Sequence, residues 1–320
     1  TGGHTMTVKN AGSLTSSGNL QFNGNSKLIV VGGTGTGGSG SVIAKATTAA
    51  QIRTEFQKPL DRYQVGGSTR EWTLISCPVT GETIPDLESQ NILSTNGSSK
   101  LAFGVFDNAS ENFSYFASGA TDALSVPGKG YLASTAVEDA VLNFFGTFEK
   151  STIVQTPVSY ESGTYGPWNL VGNPYLSYLN MTEESDSATE NFLTINWGNI
   201  NTAHKAVYAW NGTSYVAYNQ TTNTKKFIAP GEAFFVYVRD AAGINMNFKE
   251  TMQVHSKGAG FNAGVAKGAS KSVSRFNIQL KDIDNNQSDE LSFYFSNKTS
   301  KGLDPGYDAG KFNLAGSESK

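Results

Sequence analysis

Residues 168–175 read WNLVGNPY, and residues 72–79 read WTLISCPV. Both stretches follow the pattern Trp-x-Leu-aliphatic-x-x-Pro. Two further blocks recur downstream of each stretch, in the same order and at similar spacing: PGKGY at 127–131 matches PGEAF at 230–234, and NFFGTF at 143–148 matches NFKETM at 247–252. A series of matching blocks in one order indicates that a single fold is used twice.

The segments between these blocks indicate what that fold is. Residues 101–116 (LAFGVFDNASENFSYF) and 206–219 (AVYAWNGTSYVAYN) both alternate apolar and polar residues around a polar turn, and Asn211-Gly212 is a strong hairpin signal. Helical periodicity is scarce, and the one plausible helix lies within Ile84 to Leu93. The repeat therefore predicts two related β-sandwiches in tandem, of jelly-roll-like type.

The first 31 residues carry a shorter period. Gly12-Ser13-Leu14 is followed by Gly18-Asn19-Leu20 and then by Gly24 and Leu28, so a glycine turn and an aliphatic residue recur about every six positions. This spacing is typical of a β-solenoid in which short strands stack on one another. It predicts a short solenoid-like segment at the N-terminus.

A glycine-rich stretch at 33–38 follows the solenoid pattern and satisfies G-x-G-x-x-G, with Glu55 downstream. A dinucleotide-binding fold requires an apolar-periodic helix directly after these glycines. Residues 39–50 are rich in Ser, Thr and Ala and have little apolar face. The glycines are therefore interpreted as a flexible turn by which the chain leaves the solenoid.

The combined patterns predict an all-β protein with five segments. A Gly/Ala/Ser-rich run without acidic residues indicates a linker, and the alternating residues 274–295 after it predict a β-hairpin. The predicted segments are the solenoid-like repeats with the Gly-rich turn (1–50), sandwich repeat 1 (51–160), sandwich repeat 2 (161–255), the linker (256–274) and part of a third β unit (275–320).

Composition narrows the classes of partner. The chain has 24 Lys and Arg against 27 Asp and Glu, a net charge of -3, and no basic block, so nucleic acid is not an expected partner. No run of 18 apolar residues occurs, so direct membrane insertion is not expected either. Charged residues make up 16% of the chain and 35 residues are glycine, which is typical of an extracellular β protein.

Few residues suggest catalysis or a bound cofactor. The single cysteine, Cys77, lies in an apolar strand context and is expected to pack as a small hydrophobic residue. His4, His204 and His255 lack the spacing of metal ligands. We therefore expect no enzymatic activity, no catalytic residues and no cofactor.

One oxygen-rich loop is a candidate calcium site. Asp282, Asp284, Asn286 and Asp289 offer the oxygen ligands that this hard cation prefers. The loop lacks the glycine and glutamate that an EF-hand has at its sixth and twelfth positions. A solvated hairpin turn is the alternative interpretation.

Aromatic residues are candidates for stacking on sugars, since the chain has 19 Phe, 13 Tyr and 4 Trp. Trp72 and Trp168 occupy matching positions in strands and are expected in the core. Trp197 and Trp210 lie beside Gly or Asn in turn-like settings and are the better candidates. The alternative is that these two rings also pack inside the protein.

The ordered motifs resemble a region found in large secreted and surface proteins of the Bacteroidetes. WNLVGNPY, FIAPGEAFFVYV at 227–238 and the later GLDPGYDAGKF at 302–312 carry this resemblance, which extends over nearly all of the chain. The resemblance implies export by the type IX secretion system and a place outside the outer membrane or on the cell surface. It also implies that the chain is a piece of a longer protein that ends in a C-terminal sorting domain.

The resemblance implies a modification and a role. Asp186-Ser187-Ala188 matches the short motif at which these bacteria attach O-linked glycans, so Ser187 is the predicted glycosylation site. The expected function is a non-enzymatic structural or adhesive module, with the type IX machinery, surface glycans or other surface proteins as partners. The alternative is a carbohydrate-binding module of a larger secreted enzyme or adhesin.

Overall fold

The structure is a computed structural model of the 320-residue chain. It describes all residues except 1–2, 10, 18–19, 23, 34–36, 45–51, 61–71, 97, 125, 137–139, 150, 184, 187, 211–214, 221–226, 257–260, 262–273, 283–286 and 296–320.

Strands dominate the described residues, which confirms the all-β class. The strands are β1 (Thr5–Val8), β2 (Ser13–Ser16), β3 (Lys27–Val31), β4 (Ser41–Ala44), β5 (Arg53–Pro59), β6 (Thr73–Ser76), β7 (Val79–Thr80), β8 (Lys100–Asp107), β9 (Asn112–Ala117), β10 (Gly130–Ala133), β11 (Val141–Phe148), β12 (Ile153–Pro157), β13 (Trp168–Gly172), β14 (Tyr178–Asn180), β15 (Val207–Trp210), β16 (Tyr215–Tyr218), β17 (Phe227–Ile228), β18 (Ala233–Tyr237), β19 (Asn245–Lys249), β20 (Gln253–Val254), β21 (Ser274–Asp282) and β22 (Gln287–Phe295). The helices are α1 (Ile84–Ser89), α2 (Phe192–Ile195) and two short 3-10 helices, Thr202–His204 and Glu250–Met252.

Strands β1 to β5 form what we call the parallel stack. β1, β3 and β5 are parallel neighbours in one sheet, and β2 pairs in parallel with β4. Paired residues lie 22 positions apart for Thr5 and Lys27, 26 for Leu28 and Thr54, and 28 between β2 and β4. Short strands therefore do stack, but the stacking offset is about four times the six-residue spacing of the glycines.

The glycine-rich stretch at 33–38 does not lead out of the stack, so the prediction that the chain leaves there is wrong. The stretch is followed by β4, which pairs with β2 inside the stack. An added Cβ at Gly33 would lie 2.3 Å from the Gly37 carbonyl oxygen, so these two residues approach each other closely. The short apolar run Ser41–Ala44 forms a strand here because it is buried on both sides.

The first unit consists of two sheets packed face to face. One sheet continues the parallel stack in the order β1-β3-β5-β11-β7, and the facing sheet has the order β6-β10-β8-β9. α1 closes one side, where Thr83 caps its N-terminus and accepts a hydrogen bond from the Asp86 amide. Fully buried side chains from both sheets and the helix fill the core: Phe56, Ile75, Leu87, Phe103, Leu142 and Phe144.

The second unit repeats this plan. Its sheet β13-β18-β15-β16 has the same strand order as β6-β10-β8-β9, and its β12–β19 pair takes the place of β5–β11. The repeated blocks in the sequence thus correspond to one topology used twice. β12 pairs with β19 over residues 153–157, so the predicted boundary at residue 160 falls after the first strand of this unit.

Side-chain amides pair with one edge of β11 in the first unit and of β19 in the second. Gln90, at the end of α1, accepts from the Asn143 amide (2.8 Å) and donates to its carbonyl (2.7 Å). Asn196, at the end of α2, does the same with Asn247, at 2.7 and 3.0 Å. Asn143 and Asn247 are the matching positions of the repeat. A single side chain therefore pairs with the strand as a neighbouring strand would.

The C-terminal part contains the predicted hairpin. β21 and β22 pair antiparallel from Ser274 with Phe295 to Asp282 with Gln287, which confirms that prediction. Between the second unit and this hairpin, Phe261 is 2% exposed and packs against Tyr218 and Phe234. Phe261 of the predicted linker 256–274 is thus anchored in the core of the second unit.

Candidate functional site at the interface between the two units

The outer faces of two sheets meet between the units. Strands β6, β10 and β8 of the first unit pack against β13, β18 and β15 of the second. The buried side chains of this inter-unit interface come from both units: Leu74, Leu132, Trp168, Leu170, Ala206, Tyr208, Ala233 and Phe235. Apolar burial of this kind is the main term that holds two packed sheets together.

Two equivalent Pro-Gly turns stand at one end of the interface. Gly128 and Gly231 have φ values of +79° and +74°, the left-handed conformation that glycine adopts after proline in a type II turn. The Gly231 carbonyl accepts a hydrogen bond from the Ser76 amide of the first unit (3.1 Å). The Gly128 carbonyl accepts one from the Gly172 amide of the second unit (2.8 Å). Because 76 and 172 are matching positions, the two bonds are related by an approximate twofold axis.

Each turn enters the opposite unit closely. A Cβ added at Gly128 would lie 2.0 Å from Thr156 Oγ1 of the second unit, and one added at Gly231 would lie 2.4 Å from Phe56 Cε1 of the first. No side chain other than hydrogen fits at those distances. The P-G dipeptide that recurs in the sequence is therefore required by docking as well as by turn geometry.

Aromatic rings fill the other end of the interface. Phe235 makes edge contacts with Phe106 at 5.1 Å and with Tyr215 at 5.8 Å between ring centroids. Trp168 makes edge contacts with Tyr208 at 4.7 Å and Tyr237 at 4.9 Å. Such pairs add about 0.5–1.5 kcal/mol each beyond their buried area. The interface thus has close contacts of the glycine backbone at one end and packed aromatic rings at the other.

The β8–β9 turn of the first unit holds the β12–β13 loop of the second. Glu111 Oε1 accepts hydrogen bonds from the Tyr165 amide (3.0 Å) and the Gly166 amide (3.2 Å). Asn108 donates from Nδ2 to the carbonyls of Ser159 and Gly166, both at 2.9 Å. The β12–β13 loop of the second unit is therefore fixed by side chains of the first unit.

The parallel stack also contacts the second unit. The Val42 amide donates to the Leu176 carbonyl at 2.7 Å, and the Ser39 amide donates to the Tyr178 hydroxyl at 2.5 Å. His255 is hydrogen-bonded through Nδ1 to Ser41 Oγ (2.8 Å) and through Nε2 to Thr15 Oγ1 (2.7 Å). Burial lowers the pKa of His255, which favours the neutral ring in this position.

A comparison with known families matches nearly the whole length of the chain. The model of a family described as a domain of unknown function, DUF8693, matches residues 1–318. The chain belongs to the DUF8693 family. The match spans the parallel stack, both units and the hairpin together. No curated protein and no solved structure matches the chain.

The structure places the two candidate sugar-stacking rings of this DUF8693 chain in different surroundings. Trp197 is 37% exposed, and Lys205 Nζ lies 4.9 Å from its ring centroid while donating to the Trp197 carbonyl and, at 2.6 Å, to that of Ile200. Trp210 is half-buried at the rim of the inter-unit interface and lies 5.1 Å from Tyr215. The two tryptophans do not form a common platform.

Trp72 and Trp168, expected in the core, both lie at the inter-unit interface. Trp168 is 3% exposed, and Trp72 is half-buried with its ring 5.4 Å from Tyr115. Both rings belong to the apolar cluster between the units and not to the core of their own sandwich.

Two other groups of predicted site residues lie partly outside the described residues. Ser187 is outside them; of its neighbours, Ala188 is exposed, and Asp186 Oδ1 accepts from the Ala188 amide at 2.9 Å. Among the calcium candidates, Asp282 ends β21 and Asp289 lies in β22 opposite Leu280. Asp284 and Asn286 are outside the described residues, so glycosylation and calcium binding stay predictions.

Cys77 and Glu82 have strongly shifted pKa values, and their hydrogen bonds are to backbone groups. Cys77 is buried, as predicted, and its thiol donates to the Val79 carbonyl at 3.2 Å; burial raises its pKa. Glu82 is fully buried and accepts from the Phe145 amide (2.5 Å) and the Thr83 amide (3.0 Å). Burial raises the pKa of Glu82 to about 7. Sequence reasoning gave no role to Glu82, because nothing local marks it as buried.

In the part of the chain that the structure describes, histidines and other residues that could bind a metal do not cluster. His204 stacks on Tyr237 with ring centroids 4.0 Å apart, far along the chain from His255 and its hydroxyl partners. Among the described residues, no group of three or more His, Cys, Asp or Glu side chains could hold a metal ion. Within the same residues, the helices have neither the length nor the apolar character of a membrane span.

Proposed function

We propose that the chain is a non-enzymatic structural or adhesive module of a secreted or surface-anchored bacterial protein. The observation that carries this proposal is the reciprocal docking of the two units, in which Gly128 and Gly231 each enter the opposite unit. The parallel stack is fastened to the second unit through Val42 and His255. These contacts make one stiff body from three parts, as a spacer or display element requires.

Calorimetry of the full chain tests the stiff-body part of this proposal. A docked module should unfold in one cooperative transition whose calorimetric and van't Hoff enthalpies agree. Gly128→Ala should separate the transitions, since its Cβ has no room beside Thr156. Gly119→Ala is the matched control, because Gly119 has a similar φ of +76° and no atom within 4 Å of an added Cβ. Two independent transitions in the wild-type chain would contradict docking.

The localisation and export of the protein are to be tested in the native bacterium. The proposal places the protein at the cell exterior as a type IX secretion substrate, so intact cells should yield it to added protease. Loss of type IX export should leave it protected inside. A protease-resistant protein in export-competent cells would count against this address, and a hydrolytic activity of the pure chain would count against a non-enzymatic role.

Carbohydrate binding is the second candidate function, favoured by the exposure of Trp197. A ring that is 37% exposed offers a face on which a sugar can stack. Screening the chain on a glycan array, with Trp197→Ala and Trp210→Ala beside it, tests this function. Retention that neither substitution changes would exclude these rings as the sugar platform.

A further inference from the structure

The parallel stack has one covered end and one open end. At the covered end, β5 pairs with β11, and the outward amide of Val42 in β4 donates to Leu176 of the second unit. At the other end, within the described residues, β1 pairs only with β3, and β2 only with β4. β1 and β2, which we call the first coil, therefore have no further strand beside them at this end among the described residues.

The register identifies the backbone groups at this open end. The His4 carbonyl accepts from the Lys27 amide (2.9 Å), and the Gly12 carbonyl accepts from the Ser41 amide (3.0 Å). Successive residues of a strand direct their N–H and C=O groups to opposite sides. The backbone N–H and C=O groups of residues 4, 6 and 8 thus point toward β3, and those of residues 12, 14 and 16 point toward β4. The backbone groups of residues 5, 7, 13 and 15 point away from the stack.

Both edge strands are short, but neither carries the charge, proline or bulge that often protects an exposed strand. TMTV and SLTS contain no charged residue and no proline, and the pairs of β1 and β2 show no bulge. Met6 is 40% exposed at this end. Uncharged, regular edges are ones that another strand can join.

The geometry also restricts what can cover both edges together. A single extended peptide would pair with β1 or with β2 but would leave the other edge free. The paired strands of the stack are all parallel, and parallel neighbours require a long crossover between them. That crossover contains the second strand of each coil, since β2 lies between β1 and β3, and β4 lies between β3 and β5. An occupant that continues this arrangement supplies two short strands, parallel to β1 and β2.

We propose that the open end of the parallel stack is a docking surface for one further coil of two parallel strands, carried by the same polypeptide on the N-terminal side of β1. The coil pairs with the outward groups of Thr5 and Thr7 on one side and of Ser13 and Thr15 on the other. The module is then attached rigidly, through continuous sheets, to whatever precedes it.

A coil duplication tests this surface. A second copy of residues 3–24 is placed before Gly3, which reproduces the 22-residue offset between β1 and β3. Hydrogen exchange should slow about tenfold at the amides of Thr5, Thr7 and Ser13, since these become paired. The control carries proline at the copies of Met6 and Leu14, whose amides would point at the original coil, and should give no protection.

Each outcome decides the proposal. Protection that the proline control abolishes supports it. An inserted copy that exchanges as fast as an unfolded peptide overturns it. Self-association of the unmodified chain, removed by Thr7→Pro in sedimentation velocity, also overturns it, because a second copy would then occupy the open end. Thr7→Pro leaves the β1–β3 hydrogen bonds in place, since the Thr7 amide points away from β3.

Discussion

Replacing Gly231 by alanine tests whether the two units are docked as the structure has them. Gly231 lies in the second unit, yet an added Cβ would stand 2.4 Å from Cε1 and 2.8 Å from Cζ of Phe56 in the first. Phe56 is fully buried and stacked on Phe144 with centroids 6.4 Å apart. A shift of the ring would therefore disturb the packing of the core of the first unit.

The expected loss of stability has two parts. Alanine at a φ of +74° costs about 1–2 kcal/mol through backbone strain. Overpacking against a buried ring adds about 1–3 kcal/mol. Gly243 has a φ of +65° and no atom within 4 Å of an added Cβ, so Gly243→Ala should lose only the first part. The difference between the two variants measures the contact across the interface.

Urea unfolding of the full chain, followed by tryptophan fluorescence and circular dichroism, gives both free energies of unfolding. A double-mutant cycle with Phe56→Leu then isolates the contact, because leucine removes the ring atoms nearest the added Cβ. Gly231→Ala should cost less in the Phe56→Leu background. Equal losses for Gly231→Ala and Gly243→Ala, together with no coupling to Phe56, would refute the docking geometry.

Three further predictions concern single groups of the first unit. Burial raises the pKa of Glu82 to about 7, so this carboxyl group binds its proton more tightly in the folded state. Its contribution to stability is therefore present below the unfolded pKa and is lost as pH rises toward 7. The free energy of unfolding of Glu82→Gln, measured relative to wild type in urea titrations at successive pH values, should rise by up to about 3 kcal/mol across this range. Cys77 should resist a thiol reagent until the chain is unfolded, and fast labelling of the native protein would disprove its burial. Gln90→Ala should lower the free energy of unfolding by about 1–3 kcal/mol, because two hydrogen bonds to Asn143 are lost; an unchanged urea midpoint would show that the edge needs no cover.

The sequence by itself determined the features that depend on neighbours along the chain. Alternation and turn residues indicated the hairpins β8–β9, β15–β16 and β21–β22, and the repeated blocks indicated one topology used twice. α1 lies within Ile84 to Leu93, the one segment for which the sequence predicted a helix. α2 has only four residues, and so little periodicity that no sequence signal marked it.

Tertiary structure decided which of the apolar faces meet. β13 is apolar on both sides: Trp168 and Leu170 face the inter-unit interface, whereas Val171 faces the core of the second unit. Alternation alone cannot separate these two destinations, because both bury a side chain equally well. Gly128 and Gly231 looked like ordinary turn glycines, and only the contacts with Thr156 and Phe56 showed that they also dock the units. Such contacts join residues far apart in the chain, where local propensity carries no information and the packing of whole sheets determines the neighbours.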